Sequence, residues 1–238
     1  MGTCAKPVSV ADISLWRDLY RQEMNCQIVH DNMHVRRGWT EEYLLEVDGS
    51  AVGYGSVLVG GPWTGTRTLF EFFVASPWRA RVFDLFDALR DACNTNGMEV
   101  QSNDALITVM LHVFAHEIKS ESILFEDKMT TALSVDGAVL RPPAETEVDW
   151  VLEVDGADAG TGGILYHYNR PYGDIYMGVK EPFRRRGLGS YLVQELKQIC
   201  YERGSVPGAR CNPENVASRR TLQKAGFVPF GHILTGKL

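Results

Sequence analysis

"YLLEVDGSAVGYGSVL", residues 43–58, returns as "WVLEVDGADAGTGGIL" at residues 150–165, with LEVDG intact in both. Each reads as strand, tight turn, strand, because the Asp-Gly pairs at 48–49 and 155–156 supply the positive backbone angles that a two-residue hairpin requires. One such hairpin is commonplace; here the segments that follow also correspond. "EFFVASPWRARVFDLFDAL" (71–89) matches "IYMGVKEPFRRRGLGSYLVQEL" (175–196) when Pro77 is set against Pro182, each a strand, a turn and an amphipathic helix. "MEVQSNDALITVML" (98–111) then matches "ARCNPENVASRRTL" (209–222), with Asn103 opposite Asn215.

The chain therefore reads as a tandem duplication of a unit running hairpin, strand, helix, strand, helix, strand. Before the first copy, Val10 to Arg37 reads as one or two helices, with Ile13, Leu15, Trp16, Leu19 and Tyr20 at mostly helical spacing. No equivalent precedes the second copy. The linker is expected in "RPPAETE" (141–147), since Pro142 and Pro143 suit neither helix nor sheet. The boundary falls near residue 142, giving units 1–141 and 142–238.

At 238 residues and 45% hydrophobic, the chain is long enough for two small cores. Its formal net charge of -6 argues against bulk affinity for nucleic acid or anionic membrane, which rests on positive surface. The five cysteines are scattered without CxxC spacing, which fits reduced thiols. No apolar run reaches the ~18 residues of a membrane span, and no secretory leader is apparent, so a cytoplasmic location is expected.

The chemistry concentrates in "RRRGLG", Arg184 to Gly189. Leu188, Tyr191, Leu192, Leu196 and Ile199 recur at helical spacing, so a helix starts near Gly187 and stops before Gly204. A strand that enters a glycine turn and then a helix aims free N–H groups and the positive end of the helix dipole at one point, an anion site. Gly187 and Gly189 clear the approach, and Arg184, Arg185 and Arg186 add charge. The patterns G-x-x-x-x-G-K-[ST] and G-x-G-x-x-G are both missing, which disfavours Walker-type and dinucleotide sites.

"VKEPFRRRGLG" (179–189) closely resembles the acetyl-CoA pyrophosphate motif of the GNAT N-acetyltransferase superfamily, and "NVASRRTLQKAGF" (215–227) resembles the segment after that superfamily's fifth strand. The resemblance is strong over residues 148–238 and reaches the first half through the repeat. It implies two tandem GNAT-like units of α/β (α+β) class, with mixed, mostly antiparallel sheets flanked by helices. It implies acetyl-CoA as acyl donor, held by backbone amides from Arg184 through Arg185, Arg186, Gly187, Leu188 and Gly189 to Ser190. Met177, Gly178 and Val179 would pair with the pantetheine arm like an added strand, with Asn215 and Ser218 beside it. In the first copy, Val82, Phe83 and Asp84 stand where the second has glycines, so that copy is expected not to bind CoA.

Acetyl transfer to an amine needs a base for the nitrogen's proton and is aided by an acid for the departing thiolate. The resemblance places that acid, usually tyrosine, at Leu222, which cannot donate. Base candidates are Asp174 and Tyr176, on one strand face by alternation, and His167. Glu71, Glu99, Gln101 and Asn103 are unusual polar residues of the first copy, expected either to line an acceptor site or to form a hydrogen-bonded structural network. His30 with His34, and His112 with His116, have a spacing that brings two imidazoles to one helix face, but neither has the glutamate of a zinc protease motif, and no metal is expected. The function expected is an N-acetyltransferase that acts directly on a small-molecule or peptide amine. The alternative is a CoA-binding sensor or interaction protein that has lost turnover.

Overall fold

The computed structural model describes residues 2–144 and 149–238. The second half of the expected linker, from Glu145, lies outside the described residues. Its first residue, Arg141, ends a strand.

Two compact units divide the chain, one running to Glu121 and taking His232–Leu238 as well, the other Ser122–Gly231. The first contains β1 (Thr3–Val8), α1 (Ser14–Met24), a 3-10 turn (Asp31–Val35), β2 (Thr40–Val47), β3 (Ser50–Leu58), β4 (Thr68–Val74), α2 (Val82–Cys93), β5 (Gly97–Gln101) and α3 (Ala105–Phe114). The long strand β6 (His116–Asp127) carries the chain onward. The second contains β7 (Ala138–Arg141), β8 (Trp150–Val154), β9 (Ala157–Leu165), β10 (Tyr172–Val179), α4 (Leu188–Glu202), β11 (Val206–Cys211) and α5 (Val216–Lys224), followed by β12 (Phe227–Lys237).

Both hairpins turn as the Asp-Gly pairs dictate, with φ +48° and +81° at Asp48 and Gly49 and +50° and +80° at Asp155 and Gly156. The first sheet runs β1-β2-β3-β4-β5 and is completed by Ile233–Lys237 of β12, antiparallel to β5. The second runs β7-β8-β9-β10-β11 and is completed by Ile123–Glu126 of β6, antiparallel to β11. Each sheet thus takes as its sixth strand the end of the other copy. That exchange moves the division from the expected residue 142 to Glu121/Ser122, because the exposed edges of β5 and β11 demand partners and β6 and β12 are long enough to supply them. The edge strands β1 and β7 were not anticipated.

Helix α2 lays Leu85, Phe86 and Leu89 on Leu45, Val47, Phe72 and Val74; α4 lays Leu188, Leu192, Val193 and Leu196 on Leu152, Val154 and Ile175. Each such fully buried side chain contributes roughly 1.5–3 kcal/mol. The duplication is visible in the packing: a Cβ on Gly55 would lie 2.3 Å from Leu89 Cδ2, and one on Gly162 2.9 Å from Leu196 Cδ1, so a strand glycine makes room for the same helix leucine in each unit. On the opposite face of the first sheet, Ile13, Tyr20 and Ile28 cover Tyr54 and Phe73. Helix α1 buries Arg17 beside Tyr20 while Leu15 is 64% exposed, so the expected apolar stripe is only partly the buried face.

Candidate functional site

Strand β10 pairs in parallel with β11 only at Tyr172, Gly173 and Asp174. It continues along β9 as far as Val179. From Ile175 onward, the edge facing β11 has therefore lost its strand partner, and a wedge opens with Asp174 at its apex.

The turn at the wide end is built by backbone conformation. Arg184 is extended, Arg185 has φ +64° and Gly187 has φ +82° as N-cap of α4. A left-handed arginine costs roughly 1–3 kcal/mol, strain that gathers at binding sites. Left-handed residues on either side of Arg186, at the N-terminus of α4, are the backbone pattern from which concave N–H nests are built, and such nests and helix N-termini favour anions. Arg184 Nε donates to Val179 O at 3.0 Å and ties the turn to β10, while the Arg186 guanidinium lies 5.8 Å from the Phe183 ring centroid.

Helix α5 forms the facing wall. Asn215 Oδ1 caps it by accepting from Ser218 N at 3.0 Å, which leaves the amide NH2 to donate elsewhere. Ser190 Oγ is occupied by Thr221 O at 3.1 Å, so Ser190 offers the cleft its backbone alone. A Cβ on Gly189 would meet Thr221 Cγ2 at 3.2 Å and Met177 Cε at 3.5 Å, so glycine keeps the throat between these walls open. The resulting cleft measures about 670 Å3. It is lined by Met177, Gly178, Val179, Arg184, Arg185, Gly187, Leu188, Gly189, Ser190, Asn215 and Ser218, all named from the sequence. Arg186 is not among the lining residues. Phe183, Ala217 and Thr221 line the cleft and were missed, although Thr221 lies one helical turn beyond Ser218 on the same face.

At the apex, Asp174 is 4% exposed and its Oδ2 lies 3.4 Å from Arg210 Nε. The Arg210 guanidinium also donates to the Tyr168 hydroxyl and sits 5.3 Å from that ring's centroid. Tyr176 donates its hydroxyl to Asp149 and crosses over Gly163, where any Cβ would collide with the phenol. Burial, with the hydrogen bond to Asp149 and that group's charge behind it, pushes the phenol up to about 12. His167 is exposed, its ring 4.4 Å from that of Tyr168. Leu222, where the family's tyrosine was expected, is 4% exposed in the core of the unit. Cys200, in α4, is fully buried, and burial pushes its thiol up to about 11.

The corresponding turn of the first unit differs. It is a 3-10 turn (Ser76–Arg81) without a left-handed residue, and Asp84 takes Arg81 Nε at 2.7 Å at the start of α2. The unusual polar residues of this unit spend their hydrogen bonds on the chain that covers the sheet. Glu71 Oε2 accepts from Tyr54 at 2.6 Å and meets His34 Nε2 at 2.9 Å, while His34 Nδ1 meets Glu42 at 2.9 Å. Glu99 holds His30 at 2.8 Å and Trp63 Nε1 at 3.1 Å. Gln101 bonds the backbone of Val29 and Gln27, and Asn103 reaches Cys26 Sγ at 3.0 Å. These contacts join the polar set to residues 26–34 in one hydrogen-bonded network, of which His34 and Glu42 also line a cavity. His30 caps a 3-10 turn that contains His34, and His112 and His116 belong to α3 and β6, so neither pair shares an α-helical face as expected. Among the described residues, no group of three or more His, Cys, Asp or Glu is placed to hold a metal, and no helix is long and apolar enough to cross a membrane.

Residues 113–227 match the family model described as the acetyltransferase (GNAT) family. That segment carries an acetyltransferase domain of the GNAT kind, which takes its acyl group from acyl-CoA. A GNAT-family acetyltransferase from Colwellia psychrerythraea shares the fold at TM-score 0.76 and 13% identity, over 98% of this chain and 99% of that one. A tandem GNAT protein from the clavulanic acid biosynthesis pathway does so at TM-score 0.67 and 13% identity, over 99% and 98%. A GCN5-related N-acetyltransferase from Sphaerobacter thermophilus does so at TM-score 0.64 and 15% identity, over 99% and 95%. A search among curated protein sequences gives no significant match.

Proposed function

We propose that the chain transfers an acetyl group from acetyl-CoA directly to a primary amine, with the donor held in the second unit alone. The observation that carries this reading is the joining of a nest at Arg185–Gly187 to an unpaired edge of β10 in one cleft. The pyrophosphate would sit on the amides from Arg184 to Ser190, and the pantetheine arm would run along Met177 to Val179 toward the apex. Asn215, its carbonyl committed to the helix cap, would turn its NH2 to that arm. Its thioester end would then lie beside Asp174, the group we assign to receive the amine's proton. Arg210 holds that carboxylate in place. Tyr176 with Asp149, and the exposed His167, would border the acceptor. The first unit, lacking nest and glycines, would act as scaffold, its polar set pinning residues 26–34.

Leu222 favours a second reading, a protein that keeps acetyl-CoA but turns over poorly, since the thiolate would leave without the family's tyrosine. Measuring free CoA thiol released from acetyl-CoA across a panel of amines, amino acids and peptides separates the two. Release that depends on one amine class and falls at least a hundredfold in Asp174→Asn supports the enzyme. Binding of acetyl-CoA with no amine-dependent release by the wild type would replace it with the sensor.

A further inference from the structure

Lys224 closes α5 on the side of the cleft where the nest lies. A Cβ on Gly187 would stand 3.6 Å from Lys224 Nζ, which puts the ammonium directly over the left-handed glycine of the nest. A lysine in the last turn of a helix is favoured by the dipole wherever it points, so its position alone decides little. Three further observations bear on it. The Lys224 side chain is exposed and makes no ion pair among the described residues. Of the turn's arginines, Arg184 is tied to Val179 O and Arg186 lies against Phe183, so Lys224 joins Arg185 as a cation at the nest with no ion-pair partner among the described residues. The first unit supplies an internal comparison: α3 and α5 begin at the equivalent caps Asp104 and Asn215, and counting from them places Val113 where the second unit has Lys224. Val113 is 57% exposed. The copy that lost the glycines lacks this cation too, as expected of parts that serve one anion.

We propose that Lys224 binds the pyrophosphate of the acyl donor, completing from α5 the site that the backbone of Arg184–Ser190 begins. This rests on the reading of the cleft as the acetyl-CoA site. A diphosphate in the nest carries more negative charge than a single helix terminus offsets, and an ammonium at its open side supplies a charge-assisted contact. The side chain is exposed and helical, so its removal leaves the fold intact.

The test is calorimetric titration of wild type, Lys224→Ala and Lys224→Glu with acetyl-CoA and with acetyl-3′-dephospho-CoA, at two ionic strengths. Lys224→Ala is expected to weaken both ligands alike by about tenfold, Lys224→Glu by more, with a shallower salt dependence than wild type. Equal affinity in wild type and Lys224→Ala would overturn the assignment, as would a loss confined to the ligand that carries the 3′-phosphate. Wild type that binds neither ligand would overturn the cofactor reading as well, an outcome distinct from the other two.

Discussion

Asp104 and Asn215 hold the same position in the two units: each is the N-cap of the helix that follows the fifth strand. Asp104 accepts from Leu106 N and Ile107 N, Asn215 from Ser218 N. The first cap is buried and the second lines the cleft, so one repeat position faces the interior in one unit and an open cleft in the other.

Burial pushes the Asp104 carboxyl up to about 6, against an ordinary 3.8. A carboxyl whose folded value is raised binds its proton more tightly when folded, so stability falls as pH rises from about 4 through 6. The span is on the order of 2–3 kcal/mol. Asp104→Asn keeps the cap and loses the titration. Urea unfolding between pH 4 and 7 should give a wild-type curve that declines relative to that of Asp104→Asn; parallel curves would remove Asp104 as the cause.

His34 depends on pH in the same direction but in a higher window. Burial alone would lower its pKa, but the charge of Glu71 and the hydrogen bonds of Glu42 and Glu71 outweigh that and hold it at about 9. Its contribution is therefore complete below about 6.5 and lost as pH rises through 9. His34→Ala would leave two buried carboxylates without their cation, at about 3–5 kcal/mol. Chemical denaturation of the variant at pH 7 checks the size, and alkaline unfolding of the wild type checks the direction.

Arg185 sits in a left-handed conformation that only glycine adopts without strain. Arg185→Gly should be neutral or slightly stabilising, and Arg185→Val should cost about 1–3 kcal/mol, because a β-branched residue tolerates positive φ least. Urea midpoints of the two variants decide it; equal loss in both would mean the side chain, not the backbone, matters there.

Local signals were legible and distant pairings were not. The Asp-Gly hairpins, the glycine turn and the start of α4 follow from neighbouring residues, and they located nearly the whole cleft. Asn103 is one residue from the true equivalent of Asn215, which is Asp104: the two fourteen-residue segments aligned end to end put it there, and so do the helix caps. The strands β1 and β7, six and four residues long, gain their order from β2 and β8. The exchange of β6 and β12 between sheets depends on edges formed by residues far away in the chain. Glu71 stands out in the sequence as a carboxylate in an apolar strand, and only the folded unit reveals that its Oε2 meets His34 and Tyr54.

The central claim is that the cleft at Gly187–Gly189 holds acetyl-CoA, and thermal unfolding of wild type and Gly189→Trp with and without acetyl-CoA tests it most directly. An indole at 189 would project between Thr221 and Met177 and fill the throat. With ligand at ~100 times its dissociation constant, binding adds about 2.7 kcal/mol, which for a protein of this size raises the midpoint by roughly 5–11 °C. We expect that rise in the wild type and its absence in Gly189→Trp, with the two unliganded proteins unfolding as single cooperative transitions. An unchanged wild-type midpoint, or an equal rise in Gly189→Trp, would contradict it.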